Sequence, residues 1–238
     1  DAGLSSDANR KFNNYGERSF ITTQSIKKLK ADLKDWCLDP KGWELEGNKK
    51  KYDISELDNT PENRKKIFYK QKLIEGYDEE RDITFDQTII VTYSLKYKEY
   101  QQTVRNRQIE RAKKLIEKPS SADKRSQNDA KRFIKKTPFT NDGEIANRAM
   151  YELDEAAIAD EARYDGFYAV CTNLDDDPAD IAKINHDRWE IEESFRIMKS
   201  EFEARPVYLQ RDDRIEAHFL TCFIALMIFR ILEKKLGD

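Results

Sequence analysis

Arg188, Glu192 and Lys199 stand at helical spacing in the segment Ile184-Asn185-His186-Asp187-Arg188-Trp189-Glu190-Ile191-Glu192-Glu193-Ser194-Phe195-Arg196-Ile197-Met198-Lys199. At about 100° per residue their side chains fall within roughly 40° of one another, with Asn185 close beside them. A carboxylate flanked by two cations is suited to meet a metal ion and a phosphate. Its oxygens are the hard ligands that Mg²⁺ takes, while an arginine fork and a lysine point charge hold phosphate oxygens. Ile184, Ile191, Phe195, Met198 and Phe202 form a neighbouring apolar stripe that is expected to face a core. The competing reading is structural, because Arg188 and Glu192 are an i,i+4 pair and such pairs are commonly modest salt bridges on solvated helix faces.

The elements that must position these residues follow from the rest of the chain. Asp165-Gly166-Phe167-Tyr168-Ala169-Val170-Cys171-Thr172-Asn173 is an almost continuous apolar run and reads as a buried strand. A helix then starts at Asp177, which can cap it, with Pro178 in the first turn and Asp180 complementing the dipole. This helix is expected to run to about Phe202, where Pro206-Val207-Tyr208 breaks the pattern. A second helix, from about Asp213 to Leu236, is expected to present Ile215, Phe219, Cys222, Phe223, Leu226 and Phe229 to the same core. At the other end, Asp1-Ala2-Gly3-Leu4-Ser5-Ser6 reads as the end of a strand and a turn, followed by a short helix through Asn9 to Asn14 and a strand at Ser19 to Thr23. Residues 1–25 thus form a βαβ-like first part and residues 163–238 a second. Between them, 26–162 is charged and Lys-rich and reads as an insertion subdomain. It has strands at Lys66–Lys72 and Gln87–Tyr97, a charged helix at Lys98–Glu117, and a segment from Arg148 to Ala162 that mixes strand and short helix.

A chain of 238 residues with 38% hydrophobic and 11% aromatic content can bury a real core. The apolar run Phe219 to Phe229 is shorter than a bilayer span and reads as a buried helix, and no secretory leader is read. Cys37, Cys171 and Cys222 fit neither a disulfide framework nor a zinc module, which points to a reducing cytoplasm. A net charge of −3 excludes a surface that is basic throughout, so any polyanion site must come from local distribution. The run Arg105, Arg107, Arg111, Lys113, Lys114 is the basic track on offer, but interleaved Glu110 and Glu117 favour a solvated helix. Asp175-Asp176-Asp177 is assigned to helix capping rather than to a metal. His186 and His218 lack partners at metal-ligand spacing. The absence of an initiator methionine before Asp1 suggests a piece of a longer protein.

The helix resembles the signature of DDE insertion-sequence transposases, in which a tyrosine, an arginine, the catalytic glutamate and a lysine follow at fixed spacing. Arg188, Glu192 and Lys199 fill the last three positions in register, and Asn185 stands at the tyrosine position. The context Arg188, Trp189, Ile191, Glu192, Phe195, Arg196 is similar to the same family, as are the 165–173 strand and Ala204-Arg205-Pro206-Val207-Tyr208. Asp1 and the turn after it look like the family's second catalytic aspartate. The resemblance implies an α/β fold: a ribonuclease-H-like core, partial because its first strands would precede Asp1, interrupted by a mixed α+β insertion. It implies metal-dependent cleavage and strand transfer at the ends of the chain's own insertion sequence, with Mg²⁺ or Mn²⁺. Two such ions roughly 4 Å apart activate the nucleophile and stabilise the leaving oxygen. Asp1 and Glu192 would be the catalytic metal ligands here; Arg188, Lys199 and Asn185 would bind DNA phosphates. The triad's first aspartate would lie upstream. The implied partners are double-stranded DNA, as transposon ends and target, and a second copy in the intact protein. The implied setting is the bacterial cytoplasm without a membrane. Two rivals stand beside it: an inactive remnant that only binds DNA or a partner subunit, and a different ribonuclease-H-like nuclease.

Overall fold

The computed structural model describes residues 5–78, 81–117, 129–139 and 148–237. In chain order its main elements are α1 (Asp7–Asn13), β1 (Ile21–Thr23), α2 (Ala31–Leu38), β2 (Trp43–Leu45), β3 (Asn48–Tyr52), β4 (Phe68–Asp78), β5 (Ile83–Tyr93) and α3 (Leu95–Ile116). Then come β6 (Ile134–Phe139), β7 (Arg148–Leu153), α4 (Glu155–Ala162), β8 (Phe167–Thr172), α5 (Pro178–His186), α6 (Trp189–Ser200) and α7 (Asp212–Gly237). They fall into two compact units, Asp1–Ala179 and Asp180–Asp238.

The first unit is built on a six-stranded sheet in the order β1-β8-β5-β4-β2-β3, antiparallel at each pairing. Strand β5 is central. Ile89, Ile90 and Val91 are each at most 1% exposed, so this strand is covered on both faces and carries no polar alternation there. The sheet draws β1 from the first part read in the sequence, β8 from the last, and β2 to β5 from the segment between them.

Several boundaries shift for identifiable local reasons. Strand β5 ends at Tyr93 rather than Tyr97, because Ser94 adopts an extended N-cap conformation and its hydroxyl accepts from the Tyr97 amide. Strand β4 runs on to Asp78, held by a ladder that pairs Phe68 with Tyr93 at one end and Asp78 with Ile83 at the other. The short strands β2 and β3 turn through Gly47, whose φ of 67° favours glycine.

One face of the sheet carries the core: Trp43, Phe68, Ile89, Val91, Tyr93, Ala169 and Cys171 pack with Phe20, Ile26, Cys37 and Leu95. Trp43 has no exposed surface. Its ring lies 6.0 Å from Tyr93 and 5.8 Å from Phe167, and its indole N–H donates to the Asp39 carbonyl at 2.9 Å, so burial leaves no polar atom stranded. Lys70 also points into this face. Its ammonium donates to the Trp36 and Asp39 carbonyls and sits 5.1 Å from the Trp43 ring, and burial pulls its pKa down.

A second cluster, Ala112, Ala130, Phe133 and Ile134, seats the β6–β7 ribbon and α4 against α3. Between these two cores lies a buried ion pair. Both Arg105 terminal nitrogens donate to the two Asp165 oxygens at 2.5 Å, tying the middle of α3 to the start of β8. Asp165 leads into Gly166 at φ 87°. A Cβ added at Gly166 would sit 2.8 Å from the Tyr93 ring, so only glycine fits this corner.

In the second unit α6 lies against α7. The Arg230 guanidinium of α7 donates to the Ser194 hydroxyl at 3.1 Å and to the Glu190 carbonyl at 3.3 Å, and Phe202 meets Phe229 edge-on at 6.3 Å. Cys222 and Leu226 are buried on α7.

Three expectations for this region are corrected. The helix from Asp177 is not continuous to Phe202: α5 ends at His186 and α6 begins at Trp189. At the break the amides of Glu190 and Ile191 reach back three residues, to the carbonyls of Asp187 and Arg188, so a tight turn replaces one α-helical turn. The apolar stripe is core only at its C-terminal end: Ile184, Ile191 and Phe195 are each more than half exposed, whereas Met198 and Phe202 are half-buried. Ser194 and Glu190 face α7, and Ile191 and Phe195 lie roughly 80–120° round the helix from that seam. Likewise α7 is not the buried helix expected. Phe223, Met227, Ile228 and Leu232 are each at least half exposed, and by length and composition alone Asp212–Leu236 could cross a membrane.

Candidate functional site

Arg188 is the N-terminal flanking residue of α6 and keeps helical dihedrals (φ −54°, ψ −21°), so the break before α6 leaves the register of the three charged residues intact. The Arg188 Nε lies 3.5 Å from Glu192 Oε1. Lys199 is exposed along the same edge, about 10 Å further on at ~1.5 Å rise per residue. Asn185 is half-buried near the end of α5, about one turn upstream. This charged edge lies roughly 160° round α6 from the residues that hold Arg230, and so it faces away from α7.

The structure thus brings Arg188 and Glu192 into contact and aligns Lys199 with them. Their side chains keep 43% and 69% of their surface. An exposed i,i+4 pair of this kind stabilises a helix by only about 0.3–0.5 kcal/mol, so folding has little stake in it. Asp1, the other predicted metal ligand, lies outside the described residues. Glu192 supplies an oxygen donor of the kind Mg²⁺ or Mn²⁺ takes. Among the described residues no group of three His, Cys, Asp or Glu is placed to hold a metal ion.

The remaining candidates resolve as structure. Asp177 Oδ1 accepts from the Ala179 amide at 2.9 Å, which is the capping role expected of the Asp175–Asp177 run. His218 Nε2 lies 3.2 Å from the Ala204 carbonyl, joining α7 to the loop before it. Cys37, Cys171 and Cys222 are free and buried, and burial pushes the Cys37 thiol up to about 12 and the Cys171 thiol up to about 11, where neither is a nucleophile at neutral pH. Arg105 leaves the predicted basic track altogether. Its partner Asp165 lies sixty residues away in sequence, and no local pattern signals the pairing.

Sheet and helix edge together define a mixed α/β protein with an exposed carboxylate set between two cations. The chain belongs to the transposase DDE domain family, whose model matches residues 19–228. The matched span includes Asn185, Arg188, Glu192 and Lys199, and it begins downstream of Asp1. No curated protein and no solved structure matches the chain.

Proposed function

We propose that the chain is a DDE transposase segment that uses Glu192 as a catalytic carboxylate in metal-dependent cleavage and strand transfer at the ends of its own insertion sequence. The observation that carries this reading is the α6 edge: an exposed glutamate 3.5 Å from Arg188, in line with Lys199, at the spacing of the family signature and inside the matched span.

Glu192 and Asp1 would hold Mg²⁺ or Mn²⁺, which when bound would activate the attacking oxygen and stabilise the leaving one. Arg188 holds the Glu192 carboxylate in position and brings a guanidinium fork to a phosphate oxygen. Lys199 adds a mobile point charge for the next phosphate along the backbone. Asn185 contributes an amide at the position where the family signature has tyrosine, and so gives a hydrogen bond instead of an aromatic contact. In this reading residues 1–25 and 163–238 belong to a ribonuclease-H-like core and 26–162 to an insertion. The intact protein works on duplex DNA as a homodimer, in the cytoplasm of a bacterium.

The test uses the protein from its full reading frame with a duplex carrying the element's end. Glu192→Gln is expected to lose cleavage while keeping end binding. Lys199→Ala is expected to weaken end binding and to lower its salt dependence by about one unit of log–log slope. Equal loss of binding in both variants would sink this division of roles. Cleavage without joining of the 3′ end to target DNA would favour a nuclease, and binding without cleavage an inactive remnant.

A further inference from the structure

Helix α3 presents a line of cations that the sequence pattern alone had assigned to a solvated face. With Arg105 withdrawn into its pair with Asp165 and Lys113 paired with Glu110, Arg107, Arg111 and Lys114 of that run remain, Lys96 at the start of the helix joins them, and each is exposed. At about 100° per residue they fall within roughly 60° of one another and span about 27 Å along the helix. Tyr100, 64% exposed, lies in the same stripe with its ring stacked on Tyr97.

Two further observations make this line a surface for a polyanion. The acidic residues between Lys96 and Lys114 are already engaged: Glu99 Oε1 lies 2.9 Å from Arg64, and Glu110 Oε1 lies 2.8 Å from Lys113. Among the described residues, none of Lys96, Arg107, Arg111 and Lys114 has an ion-pair partner within 4.0 Å. The stripe therefore keeps its positive charge. Helix electrostatics accounts for Lys114 in the last turn but not for Lys96. The first turn of α3 holds no acidic residue and instead carries Lys96, where the macrodipole disfavours a cation.

We infer that the exposed stripe of α3 is a second DNA-binding surface, which tracks the phosphate backbone of a duplex. This rests on the reading that the chain acts on DNA. Contacts of this kind go to phosphates and carry no base information, so the stripe adds affinity uniformly across sequences.

The experiment is titration of a fluorescein-labelled duplex of random sequence with the full-length protein across a salt series. Three proteins are compared: the wild type, the stripe variant Arg107→Gln/Arg111→Gln/Lys114→Gln, and the control Lys28→Gln/Lys30→Gln/Lys41→Gln, which removes the same charge from other exposed lysines of the same unit. Removing three phosphate contacts lowers the log–log salt slope by about 2.7, so between 50 and 200 mM salt the wild type loses about 40-fold more affinity than the stripe variant. The control is expected to keep the wild-type slope, and circular dichroism spectra of all three are expected to coincide. A stripe variant with the wild-type slope, or a control that loses as much as the stripe, overturns the inference while leaving the DNA reading intact. A wild type that binds no duplex overturns both.

Discussion

The pair Arg105–Asp165 offers the sharpest test of how α3 is held to the sheet. Its side chains are 9% and 5% exposed, and the guanidinium and carboxylate meet through two bonds. Asp165→Asn keeps the shape but leaves a buried guanidinium facing an amide. Breaking a buried pair by removing one partner costs about 3–5 kcal/mol, because the surviving charge stays buried and uncompensated. For a unit of this size each kcal/mol shifts the melting temperature by about 2–4 °C, so Asp165→Asn is expected to melt roughly 6–20 °C lower. The double variant Arg105→Met/Asp165→Leu removes both charges and is expected to recover most of that loss, since well-packed apolar replacements of buried pairs are often neutral or better. The assay is urea and thermal unfolding followed by circular dichroism at neutral pH. A loss below about 1 kcal/mol in the single variant, or a double variant no better than the single, would refute the view of this pair as a desolvated tie between α3 and β8.

Gly166→Ala is expected to lose about 1–3 kcal/mol in the same unfolding assay, because φ is 87° and the new Cβ would press on the Tyr93 ring at 2.8 Å; an unchanged midpoint would contradict the packing of this corner. For the buried thiols the sign follows from their raised pKa values. The folded state holds protons on Cys37 and Cys171 up to about 12 and 11, whereas an unburied thiol releases its proton near 9.0. Their contribution is complete below pH 9 and is lost as pH rises from 9 toward 11, by up to about 1.4 kcal/mol per pH unit for each thiol. Wild-type stability is therefore expected to fall more steeply over this window than that of Cys37→Ala/Cys171→Ala, and parallel curves would refute it. Substituting Trp43, fully buried between Tyr93 and Phe167, with alanine is expected to cost about 3–5 kcal/mol, measured as a shift in urea midpoint at constant slope.

Periodicity and capping made the helices legible. Ser94 opens α3 and Asp177 Oδ1 accepts from the Ala179 amide near the start of α5, and Arg188, Glu192 and Lys199 share an edge because helical spacing survives the turn between α5 and α6. That turn itself left no mark in the sequence, since Arg188 keeps helical dihedrals and no proline or glycine stands there. Strands β2 and β3 were missed because they are short and lie in a Lys-rich stretch, where Trp43 and Leu45 supply only one step of alternation. The apolar stripe of α6 was correctly read as apolar, but a period says only that a face is apolar, not what covers it. In the basic track on α3 the exposed run Arg107, Arg111, Lys113 and Lys114 fits the solvated helix expected; the loss of Arg105 to a buried pair was not legible, because its partner Asp165 is distant in sequence.

The central claim is that Glu192 works as a catalytic carboxylate for DNA strand transfer. Its most direct test is strand transfer by the full-length protein in Mg²⁺ and in Mn²⁺, with a matched end and a target duplex, comparing wild type with Asp1→Ala and Glu192→Ala. The account predicts joined product from the wild type in a metal-dependent manner and none from either variant, with all three still binding the end. Joined product from Glu192→Ala would contradict it.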